Sequence, residues 1–371
     1  MPFSRSTQQH TFLKAVAVVG LLIMCGLHIV LVISFAANVL PLGGDANAYL
    51  AAARAILHGQ LPIGENGTAF LPEAKAGIPP YLYPPLLALA LIPLAILPYP
   101  AALSVWLILV AATTILLIYL LRPLVGWAVA IIGVLFFLPT WESLWLGQIN
   151  ALVAVLIAVM LRETDRRKDA TLGVALALGT LLKVTPVLAA LIFMYHRRWR
   201  SIAVAALTLV SIVILALPLV SLDAWYIGSL YALRSTERSA FFLSWTAILR
   251  NQPGQTSLIG PPVLIISMLM LTAWRSRFIS FRFGLAATAI LPLLISGIIW
   301  HYTAILALPV LAVLWQHTLR ARLIALTTWT FITLIGGIWQ PIMLSLCWCV
   351  CCWPHLLGPE DISDEQLLAR E

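Results

Sequence analysis

The chain reads as an all-α polytopic membrane protein, and three observations predict this. Apolar residues make up 62% of its 371 positions and the mean hydropathy is +1.00. Charged residues make up only 10%, whereas soluble chains keep roughly 25% to cover their surface. The apolar residues also gather in repeated runs near the ~20 needed to cross a hydrocarbon core. Lipid offers no hydrogen bonds to a bare backbone, so runs of this kind are read as helices.

Taken in order, the runs predict spans at 15–40, 82–98, 101–121, 124–140, 148–161, 171–195, 201–221, 259–274, 283–300, 302–318 and 323–350. The expected bundle has roughly 10–13 helices with short and re-entrant segments, since several runs are brief for a simple crossing. Two short helices are expected around "PTWESLWLGQ", and the run at 171–195 is either re-entrant or shifts the topology by one. Prolines such as Pro93, Pro139, Pro186, Pro292 and Pro309 sit in or beside apolar runs. Such breaks survive in membranes where protein or a water-lined cavity satisfies the freed backbone, so an internal cavity is expected. No internal repeat is visible, which argues against transporters built from duplicated halves.

The formal charge of +8 comes from short clusters between apolar runs: "RETDRRK", "HRRWR", "RSRFISFR" and "RAR". The positive-inside rule places these in the cytoplasm. They are too short and dispersed for a nucleic-acid surface, so no nucleic-acid partner is expected. Arg5 and Lys14 precede the run from Ala15 to Leu40, which reads as an uncleaved first span starting in the cytoplasm. The expected organisation is one transmembrane domain, 1–355, with outer loops 42–80 and 222–258, followed by an acidic tail, 356–371. The chain is expected to be multi-pass in the plasma membrane, with its site on the extracytoplasmic face.

The first outer loop opens with "PLGGDANAYLAAARAILHGQLP". Asp45 there is a favoured helix N-cap, and Ala46 to His58 reads as an amphipathic helix stopped by Gly59. Tyr49, Leu50, Ala53, Ile56 and Leu57 would share one face. Capping and catalysis are compatible: the preceding glycines permit close approach by a ligand. One carboxylate suffices as a general base, although it is poorly suited to gripping a divalent metal. His301, in "SGIIWHYTAILALPVL", falls at a turn expected on the same face, where it would either snorkel beside Trp300 and Tyr302 or serve a phosphate or a proton. Lys183 interrupts an apolar segment and calls for a partner or an anionic ligand, unless a re-entrant element leaves it near headgroups. Glu142, Gln148 and Asn150, in "WESLWLGQINAL", read as buried glue or cavity lining. Arg250, Asn251 and Gln252 lie in the second outer loop, where arginine suits a phosphate or an ordinary solvated loop. The run "CWCVCCWPH" with His355 has metal-ligand atoms but not metal-ligand spacing, so apolar filler or a lipidated edge is the preferred reading.

These segments in order, with "YLYPPLLALALIPLAILP", "LGQINALVAVLIAVML", "LGVALALGTLLKVTPVLAALIFMYHRRWR" and "RNQ", resemble the polyprenyl-phosphate-mannose-dependent alpha-1,2-mannosyltransferases. The resemblance spans roughly residues 40 to 315 and implies a GT-C glycosyltransferase-like bundle. It implies a polyprenyl-phosphate sugar as donor, a glycolipid or glycan as acceptor, and transfer on the extracytoplasmic side, with the lipid bilayer as partner to the carrier's tail. Asp45 matches the family's catalytic aspartate and His301 its histidine. Gly147, Gln148 and Asn150 match its G-Q-x-N, and Lys183 with Pro186 matches its K-x-x-P. Arg54 and Tyr83, from the first two segments, join the substrate-binding candidates. Pro253 departs from the family's N-Q-S, and the cysteine-rich run and acidic tail are not part of its pattern.

The expected reaction is inverting displacement without metal or other cofactor, Asp45 deprotonating the acceptor hydroxyl and His301 or Arg250 stabilising the leaving phosphate. No phosphate-cradling glycine loop is present. Mannose is the implied sugar, with arabinose and glucose as alternatives because no sugar-reading residue can be assigned. The rival reading is a flippase or transporter of lipid-linked sugar without transferase activity.

Overall fold

The computed structural model describes residues 26, 29–34, 42–62, 71, 79–164, 168–225, 244–252, 256–296 and 299–357. Most of the expected first span, loop segments 63–70, 72–78 and 226–243, Pro253, and the tail from 358 lie outside them. The described residues form helices and no strand.

In chain order the helices are α1 (Gly44–Leu57), α2 (Leu86–Ala90), α3 (Ile92–Ala95), α4 (Tyr99–Val125) and α5 (Trp127–Leu135). Next come α6 (Leu138–Leu146), α7 (Asn150–Arg162), α8 (Asp169–Leu182), α9 (Ala189–Tyr195), α10 (Trp199–Ala216) and α11 (Trp245–Arg250). The last are α12 (Thr256–Ser276), α13 (Phe281–Ile295), α14 (Leu308–Gln316), α15 (Leu319–Leu334) and α16 (Trp339–Cys352). Short 3₁₀ segments at Thr185–Leu188 and His301–Ala307 lead into α9 and α14.

Burial sorts these helices into two shells. α7, α13 and α14 are buried nearly all round and form the centre. α4, α10, α12 and α15 turn large apolar side chains outward, among them Leu215 at 78% exposure and Leu258 at 75%. Water would penalise so much exposed hydrocarbon, whereas lipid does not. Among the described residues α4, α10 and Leu258–Ser276 are long and apolar enough to cross a membrane, and α5 with α6, bent by 59°, has the length and composition of a broken span or a re-entrant loop. The chain is therefore an all-α polytopic membrane protein.

Several expected spans are broken, each for a local reason. The run 82–98 folds as α2 and α3, with Pro93 in the first turn of α3. The expected single span 323–350 is two helices, α15 and α16, because Gly336 and Gly337 both adopt left-handed φ, +58° and +55°. The run 171–195 ends as a helix at Leu182, then turns through Pro186, whose ring packs against Gly179: a Cβ there would lie 3.1 Å from Pro186 Cβ. Proline cannot continue the α-helical ladder, so this break leaves Lys183 extended, at φ −155°.

Candidate functional site

The site is built where α1 docks against the end of α6. Gly43 donates its amide to the Trp145 carbonyl (2.8 Å), and Trp106 of α4 donates to the Gly147 carbonyl (2.7 Å). Gly147 ends α6 at φ +69°, and a Cβ on it would lie 2.7 Å from Ala46 Cβ. Both the backbone conformation and the packing of α1 therefore demand glycine. Gly147→Ala is expected to destabilise the protein by at least about 1–2 kcal/mol from the left-handed backbone alone, read as a lower melting temperature in detergent. Gly43 is explained in the same way, since at φ +75° it would place a Cβ 2.5 Å from Leu103. Helix packing and the left-handed backbone thus account for glycine at Gly43.

Asp45 is not the N-cap of α1. Gly43 holds that position, no side chain caps the helix, and Asp45 lies in its first turn. The helix is buried on most of its surface rather than amphipathic, and Leu57, expected on the buried face, is exposed. The Asp45 carboxylate is instead taken up by tertiary partners. Gln148 Nε2 donates to Asp45 Oδ2. The Tyr302 hydroxyl lies within reach of this carboxylate, and Lys183 is close enough for the two charges to interact. Burial raises the Asp45 carboxyl above the ordinary 3.8, while Gln148, Tyr302 and Lys183 pull it partly back.

The surrounding groups are locked in turn. Tyr49 donates to Gln148 Oε1 (2.8 Å), which fixes the amide with its nitrogen toward Asp45. Tyr83 lies within hydrogen-bonding reach of Tyr49 and Gln148, its ring edge-on to Tyr49 at 5.5 Å. Tyr81 orients that segment by donating to the Pro84 carbonyl (2.7 Å) and accepting from the Ala88 amide (3.3 Å). Lys183 Nζ donates to Asn150 Oδ1 (2.7 Å) and sits 5.9 Å from the Tyr83 ring centre. Lysine can only donate, so Asn150 must present its oxygen there. That leaves Asn150 Nδ2 buried without a partner among the described residues.

His301 stands beside this cluster, one residue before Tyr302. Its Nδ1 faces Glu142 (2.8 Å) and its Nε2 faces the Ile332 carbonyl (2.7 Å). Both partners are acceptors when Glu142 is ionised, so an imidazolium satisfies both at once. The pair joins α6 to the turn that carries Tyr302.

The structure thus gathers Asp45, Tyr83, Gln148, Asn150 and Lys183, with His301 alongside. Arg54 lies further along α1, donating to the carbonyls of Ala95 (3.3 Å) and Leu97 (3.5 Å). Arg250, Asn251 and Gln252 lie at the end of α11, which packs on α12 and α13, and Asn251 and Gln252 are exposed. Sequence reasoning missed Tyr49, assigned only to a helix face, and Tyr302, assigned only to the membrane edge. The adjacency of Tyr302 to His301 was the available signal.

A membrane bundle that gathers a carboxylate, amides, tyrosines and a lysine in one partly buried cluster has the makings of an integral-membrane enzyme. The chain belongs to glycosyltransferase family 87, whose model matches residues 81–282. It is accordingly a membrane glycosyltransferase. The matched range holds Tyr83, Glu142, Gln148, Asn150 and Lys183, whereas Asp45 and His301 lie on either side of it. No curated protein matches the chain.

Proposed function

We propose that the protein moves a hexose, with mannose the first candidate, from a polyprenyl-phosphate carrier to a hydroxyl of a glycolipid or glycan, on the GT-C plan. Asp45 acts as general base, and the transfer inverts the anomeric carbon. The observation that carries this reading is the Asp45 cluster: a half-buried carboxylate held by the buried amide of Gln148, with Tyr302 and a half-buried lysine beside it.

Each part has a chemical task. Burial makes the Asp45 anion a stronger base, suited to taking a proton from a hydroxyl as it attacks. Lys183 is assigned as a cation for the leaving phosphate, because its charge interacts with that of Asp45. Asn150 Nδ2 is a spare donor for a sugar or phosphate oxygen. His301 has its two ring nitrogens engaged, so its contribution is to hold Tyr302 against Asp45. No metal or other cofactor is invoked.

The orientation follows from charge. Gly43 and Gly147 pack near the start of α4, against Leu103 and Trp106, whereas Arg122 lies near its far end. At 27 residues α4 is about 40 Å long, enough to span the bilayer. With Arg122, Arg320 and Arg322 in the cytoplasm, Asp45 faces outward.

The test is incubation of the purified protein with labelled polyprenyl-phosphate mannose and a glycolipid acceptor. Labelled acceptor, free polyprenyl phosphate and an inverted anomeric centre are the expected products. Label that stays on its carrier and appears in the opposite leaflet would establish the transporter reading instead.

A further inference from the structure

A second cavity runs from Trp329, one helical turn from the Ile332 carbonyl that His301 faces, toward the opposite end of the bundle. α4, α5, α14 and α15 line a partly open cavity of about 220 Å³ with almost wholly apolar side chains, including Leu121, Val125, Leu311, Trp315 and Trp329. For scale, an apolar protein cavity of about 150 Å³ already holds a benzene molecule. Trp329 is fixed as one wall by donating to the Gly133 carbonyl (2.8 Å) and stacking on Phe137.

Cations flank this void. Arg122, next to Leu121, lays its guanidinium over Tyr119 (3.9 Å to the ring centre) and Trp127 (4.7 Å). Arg322 donates its Nε to the carbonyl of Trp315, a lining residue (2.9 Å). Arg320 and Arg322 are exposed. Among the described residues none of these three arginines pairs with a carboxylate. An apolar void with unneutralised guanidiniums beside it matches the two halves of an anionic lipid, and basic pockets between transmembrane helices on the cytoplasmic side bind such headgroups.

We propose that this cavity holds a hydrocarbon chain of an anionic phospholipid whose phosphate is bound by Arg122 and Arg322. The donor's isoprenoid tail fits less well. From Trp106, beside the Asp45 cluster, to Leu121 is 15 residues of α4, about 22 Å at 1.5 Å per residue. A carrier with its phosphate at Lys183 would bring only hydrocarbon to this end, leaving the arginines without an anion.

The test uses the purified full chain in detergent, with native mass spectrometry and melting temperature as readouts. Phosphatidylglycerol and phosphatidylcholine with the same acyl chains are added separately. Retention of phosphatidylglycerol is expected to exceed that of phosphatidylcholine at least fivefold, with a matching rise in melting temperature. The double variant Arg122→Gln/Arg322→Gln, altered at side chains that make no ion pair, is expected to erase that preference while still folding. Ala312→Phe, which fills the cavity, is expected to reduce retention of both lipids. Equal retention of the two lipids by the native chain, or a preference surviving in the double variant, would overturn the proposal. So would an equal melting shift from glycerol phosphate, marking a free-anion site. Displacement of phosphatidylglycerol by polyprenyl phosphate equally in native and double-variant protein would overturn it too, by assigning the cavity to the donor's tail.

Discussion

Replacing Asp45 with asparagine is expected to lower sugar transfer by about 10²–10⁴-fold, the usual contribution of a positioned general base, while leaving the protein folded. The amide keeps an oxygen for Gln148 Nε2 but cannot accept a proton from the attacking hydroxyl. Stability separates this result from simple damage. Burial raises the folded-state pKa of Asp45 above 3.8, so the ionised group costs stability at pH values above that raised pKa, and the cost fades as pH falls through it. The variant is therefore expected to melt no lower than the native protein at neutral pH. For activity the sign is opposite in consequence: the base works only when ionised, so native turnover is expected to fall on acidification at a pH above the ordinary carboxylate range. A stable Asp45→Asn protein with native transfer rates would remove Asp45 from the chemistry.

Replacing Lys183 with methionine is the second large effect expected, about a 10²–10³-fold loss of transfer, comparable to removing one donor that stabilises developing negative charge. Methionine preserves much of the length and apolar bulk of the side chain but brings no charge to the leaving phosphate. Asn150 Oδ1 loses its donor, so a stability loss of about 1–3 kcal/mol is expected alongside. A steady-state measurement separates the two effects. Loss of a phosphate contact acts on donor turnover and donor affinity and leaves acceptor affinity unchanged, whereas a loosened fold lowers the active fraction for both. Native donor kinetics in a folded Lys183→Met protein would show that the lysine is a structural cation and no more.

Much of the site was legible because buried polar groups are conspicuous in a chain this apolar. Asp45, Gln148, Asn150 and Lys183 each interrupt or bound an apolar run, where an uncompensated polar group is costly. Tyr49 and Tyr302 escaped for the converse reason, since tyrosine is at home in a core or at a membrane edge, and only its hydroxyl partner reveals its role. Asp45 shows a different limit. Its local context suited a cap and a base equally, but the left-handed Gly43 took the cap position and left the carboxylate to Gln148, 103 positions away.

Composition and periodicity alone determined that this protein lives in a membrane as a bundle of helices, because hydrocarbon tolerates no other use of so much apolar chain. They also marked the side chains that cannot sit idle there. Only the tertiary structure decided where helices stop and which polar groups meet. Breaks at Lys183 and at Gly336–Gly337 depend on φ angles and close contacts between distant turns, such as Pro186 on Gly179. The pairing of His301 with Glu142 joins residues 159 positions apart. No local pattern encodes a partner at that separation, because the energy that selects it comes from packing surfaces that exist only once the chain has folded.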